Sequence, residues 1–137
     1  MSSNNATVKP APPFTSAQTV LGHGIYLAAV ALVLFVAPGV VRLFVPFPAE
    51  LDWWNRVLAL PVFNLGVLCI AIAWANTKLL IQAATATRLL VMLVVAMLVA
   101  LQAAPPIVLG VGLIDLLSAA LTIWALAAEA QSKAAEG

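Results

Sequence analysis

The chain has 137 residues, 64% of them hydrophobic and only 8% charged, with a mean hydropathy of +1.11. Soluble domains carry about 25% charged residues, so a fold that must cover itself with water-facing side chains is excluded. The formal net charge of +1 is spread thinly, and without clustered Lys and Arg there is no electrostatic footprint for nucleic acid.

Residues 1–18 are polar, include Pro10, Pro12 and Pro13, and read as a disordered N-terminal tail. They lack the basic region followed at once by a short apolar core that marks a signal peptide. Beyond the tail, long uncharged runs draw the topology, because a spanning helix needs about 20 mainly apolar residues. The run between Lys9 and Arg42 holds a first span over about 20–41. Near its inner end stand His23, between Gly22 and Gly24, and Tyr26 one turn later.

The link to the second span reads Arg42-Leu-Phe-Val-Pro46-Phe-Pro48-Ala-Glu50-Leu-Asp52-Trp53-Trp54-Asn-Arg56. Its prolines stop a helix, and Phe44, Phe47, Trp53 and Trp54 suit an interfacial anchor at the headgroup layer. Asp52 and Arg56 have the spacing of an i,i+4 ion pair. The second span covers about 57–76 and contains Pro61, Asn64 and Cys69. Cys69 has an apolar setting and reads as an inert core residue.

A loop at 77–85 then leads to a third span over about 86–104, opening on Arg88, and a fourth over about 107–128. Pro105-Pro106 end one helix and permit the next, which makes spans three and four antiparallel neighbours. Residues 131–137 read as a C-terminal tail, leaving 19–130 as a single transmembrane domain. The fold class is all-α: a four-transmembrane-helix bundle, antiparallel and up-down, with short loops, since only helices or closed barrels satisfy backbone polar groups in lipid. Four basic residues (Lys9, Lys78, Arg88, Lys133) on the side of the termini against two (Arg42, Arg56) on the other place both termini in the cytoplasm.

Asp115 stands alone in the fourth span, where an ionisable side chain costs roughly 2.5–3.5 kcal/mol on insertion scales and suggests function by default. Asp115, Ser118 and Thr122 recur at i, i+3, i+7 and share one helix face. Counting about 1.5 Å per residue from the expected outer ends puts Asn64 and Asp115 at nearly equal depth, and a hydrogen bond between them is feasible if spans two and four adjoin. The same count leaves Arg88 well over 10 Å below Asp115, which argues against an ion pair. It also sends His23 toward the opposite face, which removes a Ser/His/Asp arrangement. With one His and one Cys, metal sites built from these residues are excluded, so neither catalytic nor metal residues are expected.

Two readings of the stripe stand side by side. In one, Asp115 is a protonated structural clamp in a packing seam. In the other, Asp115, Asn64, Ser118 and Thr122 form a ligand or proton site. His23, Tyr26 and Arg88 are the candidate contacts for a lipid headgroup or a quinone; no other cofactor is suggested.

The segments Asn64-Leu-Gly66-Val-Leu-Cys-Ile-Ala-Ile-Ala73-Trp-Ala, Ala86-Thr-Arg88-Leu-Leu and Leu109-Gly-Val-Gly112-Leu-Ile-Asp115-Leu-Leu-Ser-Ala-Ala-Leu resemble small bacterial four-helix membrane proteins of the broad DoxX-like group. The likeness covers about residues 20–128 and rests on short motifs. It implies a bacterial cytoplasmic (inner) membrane and the vicinity of quinone-linked enzymes, although a second Cys for thiol redox work is absent. The expected function is a small integral membrane protein without catalytic machinery. It would serve as an accessory or scaffold subunit contacting lipid, other membrane subunits or its own copies. The alternative is a lipophilic-ligand-binding or proton/solute transport protein using Asp115 and Asn64.

Overall fold

The computed structural model describes residues 13–44 and 48–136. Four helices cross the molecule in an up-down bundle, each long and apolar enough to span a membrane, and no strand occurs among the described residues. Phe47 and most of the N-terminal tail, residues 1–12, lie outside the described residues.

Helix α1 (Ser16–Val36) starts from a capping box. Thr15 Oγ1 accepts from the Gln18 N–H at 3.3 Å, and Gln18 Oε1 accepts from the Thr15 N–H at 2.9 Å, so two donors that the helix start would orphan are satisfied. The helix therefore begins at Ser16, not near residue 20, and takes polar residues into its first turns that hydropathy alone excludes.

Helix α2 (Asp52–Ala75) contains Pro61, as expected. Its entry is held in two ways. Arg42 Nη1 donates to both carboxylate oxygens of Asp52 at 2.9 Å, and the buried Asn55 donates from Nδ2 to the Pro38 carbonyl at 3.1 Å. The expected Asp52–Arg56 pair gives way to Arg42, because the chain reversal between α1 and α2 brings that guanidinium directly onto the carboxylate. Phe44, Trp53 and Trp54 are exposed, with the two indoles stacked at 4.5 Å between centroids.

The largest departure is at helix α3 (Lys78–Ala100). The expected loop at 77–85 is helical, and only Asn76 and Thr77 separate α2 from α3. Asn76 adopts φ 46°, a left-handed conformation that Asn tolerates better than most residues, and Thr77 is the N-cap. Arg88 consequently stands ten residues beyond Lys78, about 15 Å into the helix at 1.5 Å per residue. At the other end Gln102 at φ 57° and the following Pro105-Pro106 make the tight turn into helix α4 (Leu109–Glu136). That helix runs through most of the stretch expected to be a tail.

Packing is pairwise. Helix α1 lies along α2, α3 along α4, and α1 joins the two hairpins by packing against α4. The α1–α2 seam depends on two glycines. A Cβ on Gly24 would stand 2.8 Å from the Gly66 carbonyl oxygen, and one on Gly66 would stand 2.9 Å from the Gly24 carbonyl oxygen. Backbones this close gain dispersion that lipid does not supply, which is how small residues hold membrane helices together. Most large apolar side chains face outward, as they should where the solvent is hydrocarbon. Only a small apolar core remains inside, where Val20, Cys69, Ile72 and Ile81 meet.

Gly66→Leu is expected to separate α1 from α2 and lower stability by about 1–3 kcal/mol, the range for overpacking a tight contact. Gly110→Ala, where an added Cβ meets nothing within 4 Å, should stay within about 0.5 kcal/mol. Thermal unfolding of the two variants in detergent checks the contrast.

Candidate functional site

The α1–α4 seam carries the polar residues of the bundle. Burial along α4 follows Gly112, Asp115, Ala119, Thr122 and Ala125, a helical stripe with Ser118 half-buried at its edge. Facing it, α1 presents Ser16, Thr19 and His23 at i, i+3, i+7, and α3 contributes Arg88, which is 4% exposed.

These side chains form one connected network. His23 Nε2 is 3.3 Å from Asp115 Oδ1, with side-chain exposures of 3% and 12%, and His23 Nδ1 is 3.1 Å from Ser118 Oγ. Arg88 Nη1 donates to Ser118 Oγ at 3.2 Å and to Thr122 Oγ1 at 3.4 Å. Thr122 Oγ1 meets Thr19 Oγ1 at 2.9 Å, and Thr19 also donates to the Ser16 carbonyl at 2.7 Å. The end of the seam nearest the chain termini is closed by Glu129, whose carboxylate accepts from the Ser16 N–H at 2.7 Å and from Ser16 Oγ at 3.0 Å.

Donor counting limits where the protons sit. Arg88 has only donors, so Ser118 Oγ accepts from it, and its single hydrogen goes to His23 Nδ1 at 3.1 Å or to the Asp115 carbonyl at 3.3 Å. With Ser118 donating to Nδ1, a neutral His23 carries its proton on Nε2 and donates to Asp115, which links guanidinium and carboxylate through Ser118 and the imidazole. Arg88 and Asp115 make no direct ion pair among the described residues, in line with the sequence expectation, yet they belong to one cluster. The guanidinium is not fully used: Arg88 Nε and Nη2 are buried without a hydrogen-bond partner among the described residues.

Three sequence expectations are corrected by this geometry. His23 and Asp115 do not fall toward opposite faces; with α1 starting at Ser16, His23 is about 10 Å into its helix and meets Asp115. Arg88 is not at the inner face, because α3 begins at Lys78. Asn64 is exposed on α2 and makes no hydrogen bond to Asp115, since α1 stands between α2 and α4 in the packing order. The stripe of Asp115, Ser118 and Thr122 is found as expected. The residues missed are Ser16, Thr19 and Glu129, and the spacing of Ser16, Thr19 and His23 on one helix face was the available signal.

A lateral groove of about 450 Å³ opens between α1 and α4 directly over this network. Gln18, Thr19, His23, Tyr26 and Ser118 are its polar lining residues, and Phe14 and Ile114 contribute apolar wall. The Tyr26 ring lies 6.0 Å from that of His23, and Phe14 is braced edge-to-face on Trp124 at 5.6 Å. Gly22 also lines the groove, and an added Cβ there meets nothing within 4 Å; the missing side chain is part of the opening.

Ser118, His23 and Asp115 do stand in sequence, but their chemistry differs from a hydrolytic triad. His23 addresses Asp115 through Nε2 and Ser118 through Nδ1, the reverse of the usual roles. Ser118 lies inside α4, where backbone N–H groups are spent on the helix and are not free to stabilise an oxyanion. No group of three His, Cys, Asp or Glu side chains suited to a metal ion occurs among the described residues.

A double-mutant cycle on His23→Ala and Asp115→Ala is expected to return a coupling between about 0.6 and about 1.7 kcal/mol, the mean and the largest value for hydrogen bonds between membrane helices. Additive effects in detergent unfolding would show that the 3.3 Å contact holds nothing together.

The chain matches no protein-family model, and no curated protein and no solved structure matches it.

Proposed function

We propose that this small membrane protein binds a lipophilic molecule with a polar head, taken up laterally from the bilayer into the α1–α4 groove. The observation that carries the reading is the placement of His23 and Ser118, two members of a buried charged network, on the groove itself. A seam that served only as glue between helices gains nothing by leaving such atoms beside an opening, since polar groups in hydrocarbon are expensive when unpaired. The groove volume lies in the range of about 300–1,000 Å³ common for small-molecule sites. The head of the ligand meets His23, Ser118 and Tyr26, and its chain lies along Phe14 and Ile114.

The role proposed is binding, not catalysis, given the reversed histidine geometry and the absence of free oxyanion donors around Ser118. A bacterial inner membrane with both termini in the cytoplasm is part of the same reading. Burial removes Arg88 from the basic count, leaving Lys9, Lys78 and Lys133 against Arg42 and Arg56, still in favour of termini inside. Membership of the DoxX-like group is consistent with this placement and is likewise proposed.

A photoreactive long-chain alcohol incorporated into nanodiscs with the protein tests the groove. Labelling is expected to concentrate on peptides containing Phe14 and Ile114 above the general lipid-facing background. Gly22→Leu, which fills the opening without a clash, should remove that excess while leaving the melting temperature near wild type. Uniform labelling of all four helices, unchanged in Gly22→Leu, would sink the proposal.

A further inference from the structure

Helix α2 carries two seams, and only one of them is covered. Asn55, Ala59, Val62, Gly66, Cys69 and Ala73 alternate at spacings of four and three and form its buried or half-buried side. Val57, Pro61, Asn64, Leu68, Ala71 and Ala75 repeat the same spacing two residues further on, about 200° round the helix at 3.6 residues per turn. Every residue of this second seam is exposed. Its 3.5-residue repeat is that of a helix packing along a parallel partner with a slight left-handed supercoil.

An apolar stripe by itself is what lipid requires of any outer face. Asn64 breaks the stripe. It stands twelve residues after Asp52 and eleven before Ala75, at the middle of the span, about 18 Å along the helix. Its carboxamide is exposed there and hydrogen-bonds to none of the described residues. The other exposed carboxamides among the described residues, Gln18, Asn76, Gln82, Gln102 and Gln131, lie at or near a helix end, where headgroups and water are within reach. At mid-span neither is available, so the carboxamide requires a partner from outside the chain.

We infer that α2 is a self-association face, on which two copies of this chain pair in parallel about a two-fold axis normal to the membrane, with Asn64 meeting Asn64. Two constraints select a second copy as the occupant. Copies of one chain insert with the same orientation, so each Asn64 finds its counterpart at its own depth. A carboxamide is also its own complement: Nδ2 of each copy donates to Oδ1 of the other, which satisfies both sides at once. Leu68 packs on its counterpart one turn away, and the short side chains of Ala71 and Ala75 let the helices approach closely at that end. A lone Asn in an apolar seam also fixes register and copy number. The face is independent of the α1–α4 groove, because α1 stands between α2 and α4, and pairing leaves that groove open.

The test follows the full chain in lipid vesicles, with donor or acceptor dyes at the C-terminus, as added lipid dilutes the copies. Energy transfer is expected to fall along a monomer–dimer curve. Asn64→Leu changes only an outward-facing side chain and should leave the melting temperature near wild type. It should nevertheless weaken pairing about tenfold, the worth of two hydrogen bonds between membrane helices. In a Cys69→Ala background, oxidation should link Leu68→Cys copies into covalent dimers, whereas Leu65→Cys, exposed but off the seam, should link far more slowly. A monomer at every density would overturn the inference and leave the face to lipid or to a different subunit. Pairing unchanged in Asn64→Leu, or Leu65→Cys linking as fast as Leu68→Cys, would overturn it too. If the cysteine variants fail to fold, the dilution curves of wild type and Asn64→Leu decide alone.

Discussion

A guanidinium placed about 15 Å along a membrane helix, as Arg88 is, has no water to turn to and cannot be left facing lipid. Its helix can be accommodated only if another helix brings acceptors to the same depth, and α4 does so with Ser118 and Thr122. Those hydroxyls in turn recruit α1 through His23 and Thr19. The order α3–α4–α1 in the bundle is the order of this hydrogen-bonded chain. Hydrophobic burial contributes little to such ordering, because lipid tails are as apolar as the side chains they replace.

Helix α2 is attached by a different means. It shares no part of the polar network and instead meets α1 where Gly24 and Gly66 let the backbones touch. The loop side adds the Arg42–Asp52 pair, 40% and 27% exposed and so worth only about 0.2–1 kcal/mol, together with the buried Asn55 bond to Pro38. Close packing holds one hairpin and polar satisfaction holds the other to it. The site lies on the polar side of that division, with its opening where Gly22 omits a side chain. The network that stabilises the bundle is the same network a ligand would address, so substitutions in it are expected to affect both, whereas Gly22 separates the two.

The stripe Asp115, Ser118, Thr122 was legible from its spacing alone, as was the Pro105-Pro106 turn. Their signals are local: helical periodicity and a residue that cannot continue a helix. What failed was the use of charges and polar residues as edge markers. Lys78 does mark an edge, but Arg88 does not, and hydropathy has no means of telling them apart, because the difference lies in whether a neighbouring helix supplies acceptors. Ser16 and Thr19 were set outside the first span for the same reason. The first span starts about four residues and the third about eight residues before the expected positions, and at 1.5 Å per residue that moved His23 and Arg88 far enough to hide their meeting with α4.

Composition and hydropathy by themselves determined that the chain lives in a bilayer as four antiparallel helices, since the demand that every backbone polar group be satisfied within lipid admits almost nothing else. They also determined that α4 carries one polar face. Only the tertiary structure decided which side chains face that stripe: His23 and Arg88 in place of Asn64, with α1 interposed between α2 and α4. The physical reason is that partner choice among intramembrane polar groups depends on relative depth and helix adjacency to within about one hydrogen-bond length, and neither quantity is encoded in any single span.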